Sequence, residues 1–214
     1  MPDKIPLIPN TIYHVYNHAN GNENLFRTDQ NYVYFLKRYH QYIQPIAETF
    51  AYCLMPNHFH FLLRIRSEEE LIKFLIKKKK LKEEGLQDLQ GFEELIRKLP
   101  SQQFSNLFNG YTKAINKVFN RSGSLFQPNL KRKPVDDDQY FTILIRYIHL
   151  NPMLHGFTQN PHSWKFSSLP AYMSDKPSYL ARKTVFDWFD GKQRFQEYHK
   201  NILKEDLERI RKYI

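Results

Sequence analysis

The sequence predicts an α+β fold, an antiparallel β-sheet with α-helices packed on it. Strand-like and helix-like segments follow one another in the order β-α-β-β-α-β-α. Turn and stop signals at Asn20-Gly21, Pro45, Met55-Pro56 and Pro152 separate those segments.

TIYHVYNHA, residues 11–19, is β-branched and aromatic and ends at Asn20-Gly21, which makes it a strand. Thr28-Asp29 caps a helix over about 29–44, where Tyr32, Phe35, Leu36, Tyr39 and Ile43 recur at helical spacing until Pro45. ETFAYCL and NHFHFLLRI read as two strands of a hairpin joined across Met55-Pro56. Residues 67–100, rich in Glu, Lys and Leu, predict an exposed helical insert. Its KKKK run at 77–80 reads first as a solvated helix face, with phosphate contact as the alternative. Ser101 opens another helix, and SLFQPNLKRKPV returns as an extended basic segment. Asp136–Asp138 cap the helix QYFTILIRYIHLN, which Pro152 stops. Beyond Gly156 the chain is irregular, with Pro161, Pro170 and Pro177, until an amphipathic stretch at about 192–213. Residues 1–168 are therefore expected to form one domain carrying the insert, and 169–214 a helical extension packed on it.

With 214 residues, 41% of them hydrophobic, the chain can bury a sizeable core. It has no run of about 18 apolar residues and no secretory signal, so no membrane association and a cytoplasmic location are expected. The single cysteine, Cys53, excludes an internal disulfide framework and reads as a small core residue. Against 22 acidic residues stand 32 Lys and Arg, a net charge of +10. Such an excess points to a polyanion, nucleic acid by default. Aromatic residues, 15% of the chain, suit stacking on unpaired bases. An aromatic core under a basic surface is the plainer alternative.

In MPNHFHFLLRI, His58 and His60 stand two apart on a strand and share one face with Leu62. Asn57, Phe59, Phe61 and Leu63 point the other way. Two such imidazoles can tilt onto one metal ion, or can be an ordinary hydrogen-bonded pair. In RYIHLN, Tyr147 and Asn151 are stacked one turn apart on a helix, on a stripe with Tyr140 and Leu144. Phe141, Ile145 and Ile148 form an adjacent apolar stripe that can pack on the sheet. A helix laid so would bring the Tyr147 hydroxyl and the Asn151 amide to the histidines. Tyr147 as a core aromatic and Asn151 as a helix stop remain open on the pattern alone.

YHVYN at 13–17, FAYCLMPNHFHFLLRI at 50–65, FNRSGSLFQPNLKRKPV at 119–135 and RYIHLNP at 146–152 occur in an order that resembles the single-tyrosine HUH transposases, within them the REP-associated tyrosine transposase group. The likeness spans about residues 11–168. It implies a ferredoxin-like, HUH-endonuclease-like sheet and metal-dependent nicking and strand transfer of single-stranded DNA. In that reading Tyr147 attacks the phosphorus and is left on the 5′-phosphate. His58 and His60, with Asn151 as third ligand, hold Mg²⁺ or Mn²⁺. Relatives often carry Gln at the position of Asn151, a longer amide. A phenol of reference pKa near 10 needs a base or cation to become a nucleophile, which the implied metal would supply. Two imidazoles suit Mn²⁺ better than Mg²⁺.

Arg146 and the cluster Lys131, Arg132 and Lys133 are candidates for phosphate contact, with solvated surface as the alternative for each. His14 and His18 share a face but lie about 13 Å apart, too far to chelate one ion; His14 is placed to line the site. His149, about 200° around the helix from Tyr147, is not expected to be its base. His40, His155, His162 and His199 read as ordinary. Two departures from the family pattern, His18-Ala19-Asn20-Gly21 in place of an Arg-Gly and the long insert, bear on DNA grip. The partner expected is single-stranded or hairpin DNA, with monomer and homodimer both open. The competing readings are a domesticated, non-catalytic DNA- or RNA-binding module and a metal-dependent RNA-processing enzyme. The intact His58, His60 and Tyr147 argue against decay.

Overall fold

The computed structural model describes residues 5–79 and 89–200. Lys80 of the lysine run, the insert over 80–88 and the chain beyond residue 200 lie outside the described residues. Four strands form one antiparallel sheet: β1 (Ile12–His18), β2 (Ala47–Met55), β3 (His58–Ile65) and β4 (Lys131–Pro134). Their order, β2-β3-β1-β4, is the ferredoxin-like one. The helices are α1 (Asp29–Tyr42), α2 (Glu68–Lys79), α3 (Leu89–Val118), α4 (Asp138–Leu154), α5 (Leu169–Tyr172), α6 (Arg182–Trp188) and α7 (Lys192–Lys200). Among the described residues no helix is long and apolar enough to cross a membrane.

The two-residue period of the strands divides the interior into two cores. Tyr13, Val15, Phe59, Phe61 and Leu63 face one side and pack with Phe35 and Tyr39 of α1 and Leu107, Tyr111 and Ile115 of α3. Leu62, Phe50, Ala51 and Cys53 face the other and meet Phe141, Leu144, Ile145 and Ile148 of α4. Each fully buried phenylalanine in these layers contributes about 2–3 kcal/mol. Cys53 is buried and its thiol pushed up by desolvation, as a core residue should be.

Residues after α4 extend its core. Leu169, Tyr172, Val185 and Phe195 pack behind it. The segment before α5 lies along β2, with Leu54 N–H donating to Phe166 O and Ser168 N–H to Tyr52 O at 3.0 and 2.9 Å. A chain of buried bonds crosses from this flank to α7: Ser168 Oγ to His149 Nε2 at 2.7 Å, His149 Nδ1 to His199 Nε2 at 2.9 Å, and His199 Nδ1 to Phe195 O at 2.9 Å. Because the last acceptor is a carbonyl, His199 donates from Nδ1, His149 donates to His199, and the Ser168 hydroxyl donates to His149.

Two helices run past prolines that the sequence marks as boundaries. Instead of a new helix at Ser101, α3 continues through Pro100. An interior proline costs roughly 3 kcal/mol. Burial of Ile96, Leu99, Phe104 and Leu107 on both sides of Pro100 offsets that cost. Likewise α4 runs through Pro152 to Leu154, with His155 N–H donating to Asn151 O at 3.0 Å before Gly156, at φ +73°, ends it. The helix expected over 29–44 ends at Tyr42.

Candidate active site

Register builds the site. In the β1–β3 pairing, His18 lies opposite His58, Tyr16 opposite His60 and His14 opposite Leu62. The even-numbered side chains of both strands therefore share the face that α4 covers. They line a pocket of about 330 Å³ with His14, Tyr16, His18, His58, His60 and His155 around it, Lys133 at one side, and Tyr140, Leu144 and Tyr147 of α4 above. Among the described residues no carboxylate lines it.

The face expected to carry His58 and His60 toward Tyr147 does so. The Tyr147 ring meets His60 edge-to-face at 5.4 Å and His14 at 6.2 Å. Asn151 is fully buried one turn further along α4. Its amide lies close enough to His58 and to the Tyr147 hydroxyl to oppose, at each, the larger shift that burial causes, short of a formed hydrogen bond. On balance the Tyr147 hydroxyl is raised above its ordinary value, so it is a neutral phenol at pH 7.

His14, His58 and His60 are held neutral. Desolvation, with the Lys133 charge behind it, takes His14 to about 3. Desolvation and the neighbouring His18 and His155 take His58 to about 3. Burial holds His60 well below its usual value. His58 donates from Nδ1 to Asn57 Oδ1 at 2.7 Å, which leaves its Nε2 a lone pair. That Nε2, and both polar atoms of the Asn151 amide, are buried without a hydrogen-bond partner. His60 Nδ1 meets His14 Nε2 at 2.9 Å, and with the shared proton on His60 its own Nε2 is also a lone pair.

Orphaned buried acceptors are costly, about 1–3 kcal/mol each. A His58 lone pair and an amide oxygen without a hydrogen bond, beside a second imidazole lone pair on His60 in this tautomer, are donors of the kind that suit a divalent cation, and the outer groups Asn57 and His14 fix the two rings. Among the described residues no three His, Cys, Asp or Glu side chains converge on one point, so a third protein ligand would be of another type, and the buried Asn151 amide is the one at hand beside His58. On the chemistry of these atoms, His58, His60 and Asn151 fit a divalent ion.

The other candidates divide. Arg146 does not reach the site. It is 2% exposed, and its guanidinium lies 4.2 Å over the Tyr198 ring on the α7 side of α4. A guanidinium so enclosed cannot meet backbone phosphate, which corrects the expectation. Lys131, Arg132 and Lys133 do not act as one cluster, because β4 alternates. Lys131 and Lys133 pair with Tyr16 and His14 on the histidine face, whereas Arg132 pairs with Val15 and points to the opposite one. There its Nη1 donates to Ser101 Oγ at 3.1 Å.

Three site residues escape sequence reasoning. His18 stacks on His58 at 4.7 Å, a contact that only the strand register reveals. His155 meets His58 at 4.7 Å because α4 does not stop at Pro152 and places it one turn beyond Asn151. Asn57 does not point to the helical layer. It lies in the turn before β3, where strand alternation does not hold, and reaches the ring next to it.

No family model matches the chain. A curated protein of Haemophilus influenzae bearing the name of a REP-associated tyrosine transposase is 24% identical over 123 residues. That match takes in 56% of this chain and 58% of that protein, so the chain spans less than two thirds of its relative's length. A solved structure described as a REP-associated tyrosine transposase bound to a REP hairpin superposes with a TM-score of 0.53, covering 83% of this chain and 88% of that one at 15% identity. In sequence and in fold, the chain is similar to the REP-associated tyrosine transposases.

Proposed function

We propose that this protein is a transposase-like enzyme that nicks single-stranded or hairpin DNA and rejoins it through a 5′-phosphotyrosine on Tyr147. One observation carries the reading: a tyrosine edge-on to His60, in the pocket of His58, with an unpartnered buried amide one turn away. The name of the sequence relative and the hairpin bound by the fold relative support DNA as the substrate.

The chain's own groups divide the work. Lys133 and the absence of carboxylates make the pocket receptive to a phosphodiester. Asn151 lies beside both His58 and the Tyr147 hydroxyl, where its amide can steady the phenol on the histidine side as substrate binds. The Tyr147 oxygen forms the new bond to phosphorus as the bond from phosphorus to the 3′-oxygen breaks, and the phenolic proton, relayed through the pocket, ends on the departing 3′-oxygen as its hydroxyl. Reversal of the same step joins a new 3′-hydroxyl and frees Tyr147, so strand transfer needs no nucleotide triphosphate. Mg²⁺ or Mn²⁺ bound by His58, His60 and Asn151 would supply polarisation of a phosphoryl oxygen.

The test is covalent trapping. The protein is incubated with Mn²⁺ and labelled hairpin oligonucleotides from the DNA flanking its gene, beside Tyr147→Phe. A denaturant-resistant protein–DNA band that Tyr147→Phe lacks is expected. Binding without an adduct in Mg²⁺ and Mn²⁺ would replace this reading with a non-catalytic DNA-binding module.

A further inference from the structure

A second and larger concavity, about 890 Å³, lies on the opposite side of the sheet from the catalytic pocket. One wall is α3. While its apolar stripe enters the core, Lys98, Gln102, Ser105, Asn109 and Lys113 recur at helical spacing along the groove. The other wall is the segment between α3 and β4, with exposed Gln127 and Asn129 at its rim.

The walls are fixed to the catalytic strands. Gln127 N–H donates to His18 O at 2.9 Å, and Asn17 Nδ2 donates to Gln127 O at 3.2 Å. Neighbouring residues of one strand thus serve two cavities: His18 the catalytic pocket, Asn17 the groove. On β4, Lys133 and Arg132 do the same. That strand is paired on one side only, so the two cavities are separated by an open sheet edge.

The lining chemistry selects the ligand. Arg97, Lys98, Lys113 and Arg132 border the groove, and among the described residues no carboxylate does. Lys98 is already paired with Glu94 at 2.6 Å, which leaves Arg97 and Lys113 as the other cations that α3 gives to the groove. Side-chain amides offer both a donor and an acceptor, the pattern of base edges. Phe108, half-buried and 4.7 Å from the Phe126 ring, offers an aromatic surface at the floor. Cations beside amides and an accessible ring suit unpaired nucleotides better than a duplex, whose bases are already stacked.

We propose that this groove binds an unpaired stretch of DNA adjoining the attacked phosphodiester, with Arg97 and Lys113 on phosphates, Gln102 and Asn109 on base edges and Phe108 beneath a base. The proposal rests on the nicking reading above, which puts the attacked phosphate on the other side of β4. It makes the groove the place where flanking sequence is read.

Binding is measured by fluorescence anisotropy on the full chain carrying Tyr147→Phe, with flanking hairpins that keep or lack their unpaired tails. Gln102→Ala, Asn109→Ala and Lys113→Ala are combined on that background; the first two and Lys113 are exposed, and thermal unfolding checks the fold. The combination is expected to weaken the tailed hairpin at least tenfold and leave the tail-less one unchanged. Loss of the Lys113 contact should lower the log–log salt slope by about 0.7. Photo-crosslinks from 5-iodouracil in the tail should map to peptides within 97–132. Equal loss on both hairpins, no loss on the tailed one, crosslinks elsewhere, or tighter binding of an RNA tail would each overturn the proposal. Failure of the nicking reading shows separately, as no covalent band from the unsubstituted protein with its tailed hairpin.

Discussion

Acid should unfold this protein well above the range where carboxylates titrate. His14, His58 and His199 are held near 3, and His60 and His149 well below their ordinary value, each chiefly by burial. In the unfolded chain they return to about 6.5. Between those values the unfolded state binds more protons, so the stability these groups contribute is fully present above pH 6.5 and is lost as pH falls. At pH 5.5, one unit below the unfolded value, an independent neutral histidine costs about 1.4 kcal/mol; because His14–His60 and His149–His199 are bonded pairs, the five together cost several kcal/mol rather than a simple sum. A domain is stable by about 5–15 kcal/mol in total. The expected outcome, in EDTA, is a urea midpoint that falls steeply below pH 6.5 and reaches zero between about pH 5 and 5.5. Fluorescence of Trp164 and Trp188 reports it. His199→Gln, which removes one of the five far from the pocket, should recover about 1.4 kcal/mol of the loss between pH 7.5 and 5.5. A midpoint unchanged over that interval, or the same slope in His199→Gln, would refute the reasoning.

Metal binding should depend on the groups behind the ligands: His14→Phe is expected to weaken Mn²⁺ affinity about 10- to 100-fold by calorimetry, since His14 fixes the His60 ring. Asn151→Ala should abolish calorimetric Mn²⁺ binding, and Asn151→Asp should restore or tighten it; equal binding in all three would remove Asn151 from the ligand set. Arg146→Ala should cost about 2–4 kcal/mol of stability, through lost packing on Tyr198, and leave the salt dependence of DNA binding unchanged. Lys133→Ala should do the reverse, lowering that slope with little change in stability. Asp137→Ala removes the cap that accepts from Tyr140 N–H and should cost about 1 kcal/mol in urea titrations.

Much of the fold is legible because its periods are clean. Alternation in NHFHFLLRI puts His58 and His60 on one strand face, and 3.6-residue spacing in QYFTILIRYIHLN puts Tyr147 and Asn151 on one helix stripe; that the two meet is what the packing of α4 on the sheet adds. What local pattern cannot give is pairing register, and with it the His18–His58 contact. Nor does it weigh tertiary packing against a proline: buried neighbours carry α3 through Pro100 and α4 through Pro152, and the second case brings His155 into the pocket. Arg146 did carry a legible sign. It is the one basic residue of the α4 helix, whose apolar residues lie on all sides, and such a helix is enclosed.

The alternation of β4 makes chain length between α3 and that strand a matter of parity. Gln127 is tied to His18 at one end and Val135 N–H to Ile12 O at the other, so the strand cannot drift. Deleting or inserting one residue between those ties would exchange the sides of Lys133 and Arg132, emptying the catalytic pocket of its lysine and giving it an arginine that belongs to the groove. Two residues would restore the sides. Descendants of this chain should therefore vary freely in loop sequence, while length changes beside β4 survive in even steps or as a bulge that absorbs the odd residue.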